Sequence, residues 1–240
     1  MISSIFHSLL YKPFYNILVY LTGVLPGSDI GWAVIVLTIF VLAILLPLRH
    51  KQANTQRQMK AVESEQNKIK KDYADNSAER NKRIIELYNK HGINPFAGFA
   101  LIFIQIPVML ALYFVFTRGI PFTNVDLYSF VTLPTGINSI FLGLLDLTTK
   151  SIPLALLVAL TQYIQVNLAL PPIAPRTEGE GFGQDFARSM NTNMKYVMPA
   201  MIGFFAASFP SVVGLYWLTN NIFGIAHELY VKRKATQVLK

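Results

Sequence analysis

Four stretches of this chain run without a single Asp, Glu, Lys or Arg: Ile30 to Leu48, Phe96 to Thr117, Ser151 to Pro175 and Tyr196 to His227. A helix on the surface of a soluble domain carries a charged or polar face. Segments this long and this bare are stable where water is absent. About 20 predominantly apolar residues cross the hydrocarbon core of a bilayer, and each stretch is long enough. Composition agrees: 52% of residues are hydrophobic, only 14% are charged, and the mean hydropathy is +0.40, against about 25% charged residues in soluble domains. The chain reads as all-α, a polytopic membrane protein.

The last stretch holds two tightly connected spans, because Ser208, Phe209 and Pro210 mark a turn and proline disfavours helical geometry in the residue before it. Five transmembrane helices follow: 29–48, 96–117, 151–170, 196–209 and 210–230. Odd-numbered spans end on one side, so 49–95, 171–195 and 231–240 share a compartment. Eighteen of the 21 basic residues lie there; only Lys12, Arg118 and Lys150 fall in the opposite compartment, which includes 118–150. The positive-inside rule then puts the N-terminus outside and the C-terminus in the cytoplasm. That rule also accounts for the net charge of +8 without a nucleic-acid partner.

Two segments outside the spans have a pattern of their own. In residues 1–28, Ile5, Leu9, Leu10, Phe14, Ile17 and Leu21 recur at helical spacing, which predicts an amphipathic helix in the outer interface; a sixth span is the alternative. Segment 49–95 predicts a cytoplasmic helical hairpin, with helices over Gln52–Asp72 and Ala78–Lys90 built from strong helix formers. Asn76 and Glu79 have capping-box spacing at the turn between them. Met59, Val62, Ile69 and Tyr73 are placed to face Ile84, Leu87 and Tyr88, a thin seam that predicts weak packing.

The spans carry amides and hydroxyls rather than charges. Thr38 lies in the first and Gln105 in the second, before Ile106 and Pro107. The third has Thr161, Gln162, Gln165 and Asn167; the fifth has Tyr216, Thr219, Asn220 and Asn221. Polar groups inside a bilayer face a bundle interior or a wet cavity, and interhelical hydrogen bonding is the simpler of those roles. The density toward the cytoplasmic half of the third span favours a hydrated groove reached from the cytoplasm. No catalytic constellation is present: the four histidines are dispersed, without metal-ligand spacing. The glycines of TEGEGFGQD lack the context of a phosphate loop. The absence of cysteine removes thiolate chemistry. Neither an enzyme, a metal nor a cofactor is expected.

Three motifs carry a resemblance. ILLPLRHKQ closes the first span, LYNKHGINPFAGFALIFIQIPVMLALY leads from the hairpin into the second, and FPSVVGLYWLTNNIFGIAHE covers the end of the fourth and the fifth. From about Tyr11 to Lys234 the chain resembles the YidC/Oxa/Alb membrane protein insertases, in a short form without their large outer-surface domain. The resemblance implies a positively lined groove, open to cytoplasm and lipid and closed on the outer side. It inserts nascent membrane proteins and helps them fold without ATP hydrolysis, alone or with the Sec translocon. Ribosome and targeting receptor are further implied partners, beside the lipid bilayer.

The groove lining so implied is Thr38, Gln105, Gln162, Gln165, Asn167, Tyr216, Thr219 and Asn220. One position departs from the pattern: where the family places an arginine in the first span, this chain has Leu42. Arg49 lies seven residues later, about 10 Å along the helix, as a groove-mouth charge. With no Arg-rich transit segment before the core, a bacterial plasma membrane is the expected location. A small-solute transporter or channel, or a structural scaffold derived from an insertase, are the rival functions. An inverted repeat would favour a transporter, and the basic hairpin occurs once.

Overall fold

Leu, Ile, Val, Phe and Ala fill the uncharged stretches, and with every backbone polar group needing an internal partner in lipid, helix is the conformation they adopt. A computed structural model describes residues 4–94, 97–120, 122–170 and 188–238. In chain order the elements are α1 (Ser4–Phe6), a π-helical turn (His7–Tyr11), α2 (Lys12–Val24), α3 (Ile30–Ala61), α4 (Glu63–Asp72), α5 (Ser77–Lys90) and α6 (Ala97–Arg118). A small antiparallel pair, β1 (Ile140–Phe141) and β2 (Leu145–Asp146), precedes α7 (Ile152–Ala169). A second π-helical turn (Asn193–Val197) leads into α8 (Met198–Ser208), and α9 (Ser211–Val238) follows. Among the described residues, α3 and α7 are long and apolar enough to cross a membrane, and Ile106–Arg118 forms a shorter apolar helix.

The chain divides into two compact units, Ile44–Ile106 and the combination of Met1–Ala43 with Pro107–Lys240. In the smaller unit, α4 and α5 pack around Val62, Leu87, Tyr88 and Ile93, with Met59, Ile69 and Ile84 against them. The Asn76 side chain caps α5 by accepting from the Glu79 amide at 3.1 Å. At the other end Ile93 N–H donates to Tyr88 O at 2.8 Å and Gly92 N–H to Asn89 O at 3.1 Å. Gly92 has φ +63. This is a Schellman motif, in which a left-handed glycine lets the following apolar residue fold back onto the helix. Lys-His-Gly-Ile thus stops the helix and adds Ile93 to the seam.

Three boundaries differ from the sequence expectation. The first span and the first hairpin helix are one helix: α3 runs unbroken through Pro47, and the break falls at Val62 (φ −99°, ψ 9°). Val62 turns there into the hairpin core, whereas Pro47 removes a single backbone donor from a helix otherwise rich in strong formers. Helix is already present at 188, the first residue described after 170, and runs through 188–192 and the π turn into α8, ahead of the expected start at 196. Fourteen residues of helix reach only about 21 Å, short of a bilayer core of about 30 Å; the helix that includes 188–208 is longer than the expected segment. The expected loop 171–195 is therefore helical from 188, and its part 171–187, with Arg176, lies outside the described residues. The β-pair is the third difference, within a chain assigned to the all-α class.

In the larger unit α7 packs against both α8 and α9. Leu154 lies against Gly214, and Gln165 against Gly224; both partners advance together, so α7 and α9 are parallel. Gly203 lies against Ala159, and Tyr163 faces Tyr196 with ring centroids 6.0 Å apart, so α8 is antiparallel to α7. Leu154, Ala155, Val158 and Ala206 form the core between them. The break before α9 falls at Phe209, whose backbone is extended (φ −109°, ψ 165°), ahead of Pro210.

Candidate groove and its polar lining

Several polar side chains of the spans are satisfied within their own helix. Thr38 is fully buried and donates to Val34 O at 2.6 Å. Thr219 donates to Leu215 O at 2.8 Å, and Asn167 to Tyr163 O at 3.0 Å. Hydroxyls bonding back to the carbonyl four residues earlier satisfy themselves without needing a neighbour. The interhelical role belongs to Asn221, which is 1% exposed. Its amide donates to Val158 O at 3.2 Å and to Thr161 Oγ1 at 3.1 Å, tying α9 to α7.

The remaining amides lie at the surface of this bundle. Gln162, Gln165, Asn167 and Asn220 are half-buried, and Gln165 covers Gly224, where absence of a side chain lets α7 and α9 approach. Tyr216 is buried, its ring 6.0 Å from that of Phe116 on α6. Leu42, the position where the family resemblance implies an arginine, is 1% exposed and so is closed to solvent. Gln105 and Arg49 belong to the smaller unit; the Gln105 side chain lies outside the described residues, and Arg49 is half-buried on α3.

One end of the larger unit is closed by polar ties that the sequence reading did not single out. Tyr15 Oη donates to Thr123 O at 2.8 Å and accepts from Thr123 N–H at 2.7 Å. Asn16, buried, donates to Lys12 O and Asp126 O, both at 2.8 Å, and accepts from Tyr128 N–H at 2.7 Å. His7 Nε2 lies 3.2 Å from Asp126 Oδ2. Near the start of α3, Asn138 N–H donates to Ser28 O and Ile30 N–H to Asn138 O, both at 3.0 Å. The start of α9 is bound to the start of α7: Ser211 N–H and Oγ both donate to Thr149 O, at 2.7 and 2.6 Å. Apart from the bond of Asn16 to Lys12, each tie joins residues far apart in sequence, so no local spacing announces it.

These features define a class: a helical protein with uncharged apolar helices, internally satisfied hydroxyls, a half-buried row of amides and one tightly tied end. A family profile described as the 60Kd inner membrane protein matches residues 21–238. Relatives named membrane protein insertase YidC include one from Pelobacter propionicus, 30% identical over 206 residues, covering 86% of this chain but 35% of that relative. The one from Clostridium perfringens is 29% identical over 205 residues, covering 85% of this chain and 79% of the relative. Membrane protein insertase YidC 2 from Bacillus anthracis is 31% identical over 213 residues, 86% of this chain and 73% of the relative. The chain belongs to the family of the 60Kd inner membrane protein, that of the YidC membrane insertases.

Proposed function

We propose that this chain inserts nascent membrane proteins into a bacterial plasma membrane and helps them fold, with the N-terminus outside, the C-terminus in the cytoplasm and no nucleotide hydrolysis. The observation that carries this reading is the family match, which extends from residue 21 to 238 and so takes in every span. Five spans are supported by the sharing of one layer: the start of α3 is hydrogen-bonded to Asn138, Ser139 to Leu147, and the start of α9 to Leu147 and Thr149, while the segment around Thr123 is bonded to α2. Gly119, just after α6, lies against Tyr15, and α8 ends two residues before α9 begins. Helices that alternately leave from and return to one layer cross the bilayer in alternate directions.

The N-terminal helix does not span. Its first half is bound to Thr123 and Asp126, while Gly23, near its other end, lies against Pro134. Were α2 transmembrane, residues 123–134 would cross beside it with backbone groups outside any regular element, and lipid does not tolerate that. An interfacial position fits both ends.

A groove of amides open to the cytoplasm lowers the barrier for a substrate's polar flank, since each unsatisfied polar group in hydrocarbon costs several kcal/mol. Partition of the substrate's apolar helix into lipid supplies the driving force. With Leu42 buried, polarity comes from Gln162, Gln165 and Asn220 rather than from a central charge. The basic segment 49–95 faces the cytoplasm, where Sec translocon, ribosome and targeting receptor meet it. Insertion of a small single-span substrate with an acidic outer tail into proteoliposomes tests the activity. Insertion equal to that of empty liposomes, with normal insertion in depleted cells, would sink the reading. The chain has no native cysteine, so cysteines at Gln162, Gln165 and Asn220 report the groove: a water-soluble maleimide modifies them, while one at Leu156 stays unreacted.

A further inference from the structure

The tip of the β-pair in the tied layer has an unusual composition. Leu142 is 61% and Leu144 89% exposed, with Ile140 also exposed, whereas Phe141 and Leu147 are buried and Leu145 packs on the α7–α8 core. Leu144 N–H donates to Phe141 O at 3.1 Å across a turn whose central residues, Leu142 (φ 55°) and Gly143 (φ 69°), both have positive φ. Turns of that kind favour Asn, Asp or Gly at the first such position, and a leucine there is backbone-strained. Leucine therefore stands where a polar residue would suit both the turn and water. The depth of the pair is also defined: Phe141 lies on Gly31, in the first turn of α3, and its ring meets that of exposed Trp32 at 5.4 Å. Tryptophan is enriched at headgroup level. Just beyond the pair, exposed Ile152, Leu156 and Leu160 form a stripe along α7 at helical spacing.

From this placement we infer that Leu142 and Leu144 insert among the acyl chains of the outer leaflet, anchoring the tied layer to lipid at the closed end of the bundle. The inference rests on the membrane reading above and extends it to one segment. Continuity with the apolar stripe of α7 and the headgroup-level Trp32 favours lipid as the occupant. No Asp, Glu, Lys or Arg occurs between Asp126 and Asp146, and Asp146, the cross-strand partner of Ile140, puts the charge at the base of the pair rather than at its Leu142–Leu144 tip.

Nitroxide-labelled Leu144→Cys, Thr148→Cys and Leu156→Cys, each in the full chain reconstituted in phosphatidylcholine–phosphatidylglycerol vesicles, separate the possibilities by accessibility to oxygen and to a water-soluble nickel complex. The expected result is an oxygen-rich, nickel-poor label at positions 144 and 156 and a nickel-accessible one at 148. Adding Leu142→Asn, which suits the turn, is expected to raise nickel accessibility at 144 at least threefold without loss of folded protein. A label at 144 as nickel-accessible as at 148, with 156 still lipid-exposed, overturns the anchor alone. Nickel accessibility at 156 as well overturns the membrane reading. A label at 144 closed to both reagents, or spin-coupled to another copy, overturns lipid in favour of a protein contact.

Discussion

Leu42 and Asn221 behave oppositely at the residue scale. Leu42 is 1% exposed, and an unpaired charge buried there faces a desolvation cost of several kcal/mol. Leu42→Arg is therefore expected to lower stability rather than restore a family-like groove, read as an earlier midpoint in denaturant titration of the solubilised protein. Unchanged stability together with faster insertion of acidic-tailed substrates would mean that the site is hydrated. Asn221→Leu removes the two hydrogen bonds to α7. Interhelical hydrogen bonds in membrane proteins contribute about 0.6–2 kcal/mol, so a loss within that range is expected. Thr161→Ala combined with it should cost less than the two singly, because the pair shares one bond.

Helix contacts at the element scale depend on glycines that a composition count treats alike. A methyl group at Gly203 would meet the Ala159 Cβ at 2.7 Å, and neither atom can rotate away. Gly203→Ala should force α7 and α8 apart at a cost of about 1–3 kcal/mol. Gly224→Ala meets the end of the Gln165 side chain, which can swing aside, so a smaller loss is expected in the same denaturation measurement. The β-pair has a pH signature. Asp146 accepts from Thr148 Oγ1 at 2.7 Å and Thr148 N–H at 2.9 Å, which holds its carboxyl below the usual range. A depressed carboxylate pKa stabilises above the unfolded value of about 3.9, and that contribution is lost as pH falls through the folded value. Amide exchange at Thr148 should accelerate below about pH 4 relative to neighbouring amides, and Thr148→Ala should weaken that dependence.

Over the whole molecule, the absence of charge from four long apolar stretches was sufficient to announce a bilayer protein, because a soluble chain of this size has too little core to cover four helices on every face. The break at Phe209, the Asn76 cap and the hairpin seam of Val62, Leu87 and Tyr88 were equally legible, since each depends on residues close in sequence or on a single period. The sequence did not show where helices end relative to the apolar runs, because hydrogen-bonded backbone continues past Pro47 and begins before Tyr196 whatever the surrounding solvent. In the N-terminal helix the expected stripe began with Ile5 and Leu9, yet these are exposed, and Tyr15, Leu18, Val19 and Thr22 are buried. An apolar residue facing lipid and one facing protein read the same in a sequence. Which amides bind a neighbouring helix and which stay half-exposed was likewise decided by tertiary contacts. Composition determined the solvent this chain needs; the meeting of Asn221 with Thr161, Asn16 with Asp126 and Ser211 with Thr149 determined which polar groups are tied between elements, because those partners are brought together by packing rather than by spacing.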